Sequence, residues 1–352
     1  MRKRPSLMSA ETETALEVGA VAAPVQISRQ RSVGREIGRF GLPLLLVILI
    51  FVFATNGESS AAFTSLPNIR QLLANQAVTG LIALAMVVPL VAGYFDLSVG
   101  AAAGASSIVF AQLVGPLQVT PVLAIAVAMV VAILIGAVNG FLVAVLRLNG
   151  LIVTLGTYIL LQGVLQWLTG GSTISDGIPE EVGRWGSNQF LFVPQAFWLL
   201  IIVAVIVWYL LSYFPRGREL ESIGSNERAA HLVGVRVRRN IFFAFLSAGF
   251  IAGIAGVLLT SRAGSADPTS GPGYLFPALA AVFLGATCFR PGKYNVWGAI
   301  LGVYFLAIAV NGLTLLGADS WVTPVFNGAA LIVAVMISTM IGRRRGGSSS
   351  AP

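Results

Sequence analysis

The chain has 352 residues, of which 56% are hydrophobic and only 10% charged, and its formal net charge is +8. With a mean hydropathy of +0.86, this composition excludes an ordinary water-soluble domain and indicates an integral membrane protein. The lone Cys288 cannot make an internal disulfide and no cysteine–histidine cluster accompanies the one histidine, His231, so the sequence offers neither redox chemistry nor structural zinc.

Residues 1–38 mix arginine, glutamate, serine, threonine and alanine without a dependable helical period, and are expected to form a disordered cytoplasmic tail. The first apolar run begins too far from Met1 for a cleavable signal peptide. A spanning helix needs about 20 mostly apolar residues. Such runs lie at 39–55, 76–93, 97–115, 121–146, 151–169, 194–214, 241–261, 296–316 and 324–341. Leu275–Cys288 is apolar but short for a straight crossing, so it is either a short span or a re-entrant segment. The runs are unbroken rather than alternating with period two, which favours helices over a barrel. The predicted fold is therefore all-α, a polytopic transmembrane helical bundle over 39–341, followed by a short cytoplasmic tail at 342–352.

Lysine and arginine near helix ends collect on the cytoplasmic side. Arginines flank both ends of the bundle, so both termini are expected inside and the number of crossings even. Counting Leu275–Cys288 gives about ten crossings and also places Arg147, the arginines from Arg216 to Arg239, Arg290 and Lys293 inside. Arg70, Arg184 and Arg262 are then left outside. Anionic lipid head groups account for the positive charge, and no nucleic-acid partner is needed.

The longest polar interruption is "GRELESIGSNERAAHLVGVRVRR", 217–239. Ser225 or Asn226 can cap a helix there, Glu227 suits its positive end, Ala229 and Ala230 favour helix, and Gly234 can end it in a left-handed turn. A surface helix of about two turns is expected, with the small alanines leaving a smooth face for a partner. An ordinary solvated loop, or an amphipathic piece lying on the membrane, is the competing reading.

Several stretches resemble one family. "IGSNERAAHLVGV" (Ile223–Val235) is similar to the cytoplasmic Ala-Ala-Gly segment of ribose-type ABC sugar permeases, and "FDLSVG" (Phe95–Gly100) to their Asp-Leu-Ser-Val-Gly signature. "NGFLVAVLRLNGLIVTLGTYILLQGV" (Asn139–Val164), Ser265–Tyr274 and "NGLTLLG" (Asn311–Gly317) resemble further elements of the same family, so the likeness runs from about Gly41 to Ile341. It implies a permease subunit that imports a monosaccharide, pentose or hexose, across a bacterial cytoplasmic (inner) membrane. It also implies a second permease copy or homologue, two cytoplasmic ABC ATPase subunits and an extracytoplasmic sugar-binding protein as partners.

ATP would be bound by the ATPase, and this chain would carry no cofactor and no enzymatic activity of its own. The chain indeed lacks a G-x-x-x-x-G-K-[ST] loop. The resemblance makes Gly224, Asn226, Glu227, Ala229, Ala230 and Gly234 a coupling helix that docks on the ATPase. Two departures leave the sugar open: Leu275, Phe276 and Pro277 stand where the family carries an acidic pair, and "RPGKYN" (Arg290–Asn295) stands for a Gly-Gly-Lys-Gly corner. A branched-chain amino-acid or nucleoside ABC permease is the alternative. A secondary transporter would need paired ionisable residues within its helices, and an intramembrane enzyme a nucleophile with its base.

A carboxylate in the centre of a lipid-facing helix costs about 3 kcal/mol, so Asp96 must face protein or water. Either it caps the helix expected from Leu97 or, with Ser98, it lines the translocation path. Asn75, Gln76, Asn139, Thr154, Thr157, Gln162 and Asn311 are polar residues within apolar runs. They suit either sugar hydroxyls or hydrogen bonds between helices. Glycines spaced by four, as in Gly136–Gly140 and Gly249–Gly253, allow close helix packing.

Overall fold

The computed structural model describes residues 30–57 and 59–346, with side chains for 40–57 and 59–336. The tail expected over 1–38 lies outside the described residues as far as position 29, and the tail expected over 342–352 does so from position 347. Residues 30–38 are helical rather than irregular, because α1 (Gln30–Thr55) begins ahead of its apolar run. A nucleated helix extends through polar residues at little cost, and Pro43 inside α1 does not end it. The last helix likewise continues through 342–346.

After α2 (Ser60–Phe63), α3 (Leu66–Val91) starts ten residues before the apolar run that announced it. The Ser65 side chain accepts from the Asn68 amide and a proline occupies the first turn, so the start is set by capping chemistry rather than hydropathy. Next come α4 (Val99–Val114) and α5 (Pro121–Gly140), the latter prolonged by a π-helical turn, Phe141–Val145. Asn149 then caps α6 (Gly150–Thr169), which ends on left-handed Gly170. The short α7 (Glu180–Ser187) leads into a hairpin of β1 (Gln189–Phe190) and β2 (Val193–Pro194), antiparallel with Phe190 opposite Val193.

The second half holds α8 (Gln195–Ser212), α9 (Pro215–Ser225), α10 (Glu227–Leu232) and α11 (Val237–Ala263). It closes with α12 (Ser270–Gly273), α13 (Leu275–Gly285), α14 (Val296–Leu315) and α15 (Val322–Gly346). Among the described residues, six helices are long and apolar enough to cross a membrane, and shorter apolar helices lie at Phe40–Thr55, Val99–Val114, Ser270–Gly285 and Val322–Met336. These are the stretches marked out by hydropathy. The protein is an all-α membrane bundle.

Its centre is built from α3, α4, α11 and α13, whose side chains form one continuous core. The flanking α5, α6 and α8 are buried over only 22%, 11% and 28% of their apolar windows. Ile152, Ile159 and Leu160 therefore face outward, as helices bathed in lipid do. The crossing of α5 and α11 explains two of the spaced glycines. A Cβ at Gly136 would stand 2.5 Å from the Phe245 carbonyl oxygen, and one at Gly249 2.5 Å from that of Ala132. The small-residue spacing serves packing within the chain at this crossing.

Candidate functional site

Three features gather the residues singled out by the sequence. The first is the α9–α10 segment. The Asn226 side chain accepts from the Ala229 amide at 3.0 Å and so caps α10, and Gly234 closes the segment at φ +86°. The expected short helix is present, preceded by an unexpected one. The run PRGRELESIGS is amphipathic, and α9 buries Gly217, Leu220 and Ile223 against the bundle.

The expected smooth double-alanine face is corrected. Ala229 is exposed, but Ala230 is 3% exposed and belongs to the core. Consecutive helical positions differ in direction by about 100°, so both could not face outward once α10 lay on the bundle. Gly224 also serves packing, since a Cβ there would stand 2.2 Å from the Val91 carbonyl oxygen. Glu227 accepts a hydrogen bond from the Tyr94 hydroxyl at 2.8 Å, tying the segment to the turn between α3 and α4. Burial, and then the Glu227 carboxylate, raise the Tyr94 hydroxyl above its ordinary value, so it remains the donor. Leu232 and Val233, 85% and 79% exposed, were missed. Their signal was two adjacent apolar residues in an otherwise polar stretch.

The second feature is a buried polar chain beginning at Asp96, which lies between α3 and α4, outside both helices, and is 1% exposed. One of its carboxylate oxygens, Oδ1, accepts from the Ser98 amide at 3.0 Å and the Ser98 hydroxyl at 2.6 Å. Ser98 Oγ in turn accepts from Asn139 Nδ2 at 2.7 Å, and Asn139 Oδ1 accepts from the Thr157 hydroxyl at 2.7 Å. Thr154 Oγ1 accepts from the Leu97 amide at 3.1 Å. Thus α4, α5 and α6 are joined by five of the residues expected along the path.

Helix α4 begins at Val99 with Ser98 at its N-cap, rather than at Leu97. Asp96 is the acceptor that closes the preceding turn, which neither sequence reading described. Burial pushes its carboxyl up to about 6, while the Ser98 hydrogen bonds pull it down.

The third feature is a cleft of about 580 Å³ between α3, α12, α14 and α15. Asn75, Gln76 and Asn311 meet in it, together with Asn68, which the sequence reading did not name. Asn68 and Asn311 exchange two amide hydrogen bonds, each 3.0 Å. Arg262 donates to the Asn75 side chain and, at 3.1 Å, to the Gly186 carbonyl. The lining side chains include amides, hydroxyls and aliphatics but no charged group. The volume lies in the range of small-molecule sites, roughly 300–1,000 Å³. Gln162 belongs to neither polar group; it is half-buried on the peripheral α6.

The chain is a membrane helical bundle that carries a neutral polar cleft at one place and a capped polar segment at another. The family model for the permease component of branched-chain amino acid transport systems matches residues 68–336. The chain belongs to this permease family.

The ribose import permease of Escherichia coli (strain K12) is 32% identical over 295 residues, covering 83% of this chain and 92% of that protein. Its counterpart in Bacillus subtilis (strain 168) is 34% identical over 305 residues, 86% and 92% of the two chains. The D-allose transport system permease of Escherichia coli (strain K12) is 29% identical over 309 residues, 87% and 93%.

Proposed function

We propose that this chain is the permease subunit of an ATP-driven ABC importer that moves a monosaccharide, a pentose or hexose, across the cytoplasmic membrane of a bacterium. The observation that carries the reading is the near-full-length similarity to permeases named for ribose and D-allose. The cleft agrees with it, because neutral amides and hydroxyls match a solute that presents many hydroxyls and no charge. The alternative, a branched-chain amino-acid or nucleoside ABC permease, is not favoured, since the relatives described above are named for ribose and D-allose.

The finer proposals follow from the sequence and geometry together. Residues 39–341 would make about ten crossings, with the tails at 1–38 and 342–352 and the segment 217–239 all on the cytoplasmic side. There α10 would dock on a cytoplasmic ABC ATPase that binds the ATP. Ala229, Leu232 and Val233 would supply the contact, Asn226 and Gly234 its shape, and Gly224, Glu227 and Ala230 its attachment to the bundle.

The sugar would arrive from an extracytoplasmic binding protein and pass along Asn68, Gln76 and Asn311, beside a second permease copy or homologue. Asp96, Ser98, Asn139, Thr154 and Thr157 would hold the framework. Reconstitution with the ATPase and binding protein, followed by uptake of labelled ribose, allose and leucine, tests the proposal. Sugar uptake is expected, and leucine uptake alone would overturn it.

A further inference from the structure

An apolar groove of about 620 Å³ runs between α8 and α11 and ends at α9. Ile206 and Leu210 of α8 and Phe250 of α11 line it and are open to the outside. Toward α9 the lining reaches Phe243, and two guanidinium groups sit over that ring: Arg216 at 4.9 Å and Arg239 at 5.7 Å from its centroid. Neither is in an ion pair among the described residues. The ion pairs among the described residues are Arg184–Glu180 and Lys293–Glu221, and the nearby Glu219 accepts from Asn240 at 2.7 Å.

Two cations beside one ring, neither in an ion pair among the described residues, attract an anion. The trough leading away from them offers hydrocarbon and no charge other than Arg216. A molecule that satisfies both halves has an anionic head and a long apolar tail. We propose that the α8–α11 groove binds one acyl chain of an anionic phospholipid, with the lipid phosphate lying on Arg216 and Arg239. This site is separate from the polar cleft and does not depend on which solute is carried.

The test uses the full chain, equilibrated in detergent with equal amounts of phosphatidylglycerol and phosphatidylcholine, with retained lipid counted by native mass spectrometry. The unmodified protein is expected to retain phosphatidylglycerol preferentially. Arg216→Ala/Arg239→Ala is expected to lose about tenfold of that retention, from the attraction of basic residues for anionic head groups. Ser247→Phe, which fills the trough and leaves both arginines, is expected to reduce retention as well.

Equal phosphatidylglycerol retention by the double-arginine variant overturns the proposal. So does displacement of the lipid by inorganic phosphate, which would reveal a site for the head alone. A Ser247→Cys variant that forms a disulfide between two chains in membranes would place a second copy of the protein in the groove, and would also overturn it.

Discussion

Asp96 tests whether the polar chain between α4, α5 and α6 is a framework or part of the transport chemistry. Its Oδ1 serves two donors, the Ser98 amide and the Ser98 hydroxyl, in a place almost closed to water. Asp96→Ala removes the acceptor. The hydroxyl can rotate toward another partner, but the amide is fixed by the backbone. One buried donor is thus orphaned outright and a second is weakened, at about 1–3 kcal/mol for each unsatisfied group, or roughly 2–4 kcal/mol in all.

Asp96→Asn keeps an oxygen at the same position and removes only the charge, so it is expected to cost little. The charge has its own signature. Folding raises this carboxyl from 3.8 to about 6, so between those values the folded chain holds more proton than the unfolded one. Stability from this group therefore falls as pH rises from about 4 to about 6 and is flat above. Thermal unfolding in detergent across that range should show the slope in the unmodified protein and lose it in Asp96→Asn. Sugar uptake should survive in Asp96→Asn and fall with protein yield in Asp96→Ala. Uptake abolished in Asp96→Asn with an unchanged melt would refute the framework role and return the carboxylate to the path.

Two further outcomes are expected. Ala229→Glu should abolish co-purification of the ATPase while leaving the melting temperature of the permease unchanged, whereas Ala230→Glu should lower that temperature, because it puts a charge into the core. Identical behaviour of the two would contradict the orientation of α10. Reporters fused at both chain ends should read cytoplasmic and one inserted near Glu180 external, and a terminus found outside would remove the even crossing count.

Features that depend on contiguous residues were legible in the chain before any tertiary contact was known. About 20 apolar residues in a row favour a helix in lipid whatever their neighbours are, so hydropathy alone located the helical segments to within a few residues at most ends. The Asn226 cap and the left-handed Gly234 were legible for the same reason, since each acts within three or four positions. Even the start of α3 was written locally, in Ser65 and the following proline, though in capping chemistry rather than hydropathy.

Direction and partnership came from the packing of the helices. Ala229 and Ala230 are chemically identical neighbours, and the surface against which α10 lies determines which one is buried. Asp96 finds Ser98 two residues away, yet the rest of its chain needs α5 and α6, and Asn68 finds Asn311 across 243 positions. Polar groups within apolar runs must pair somewhere, but composition does not say with whom. Among so many interchangeable amides and hydroxyls, the helix crossings choose the pairs, and close contacts such as that of Gly136 with Gly249 help set those crossings.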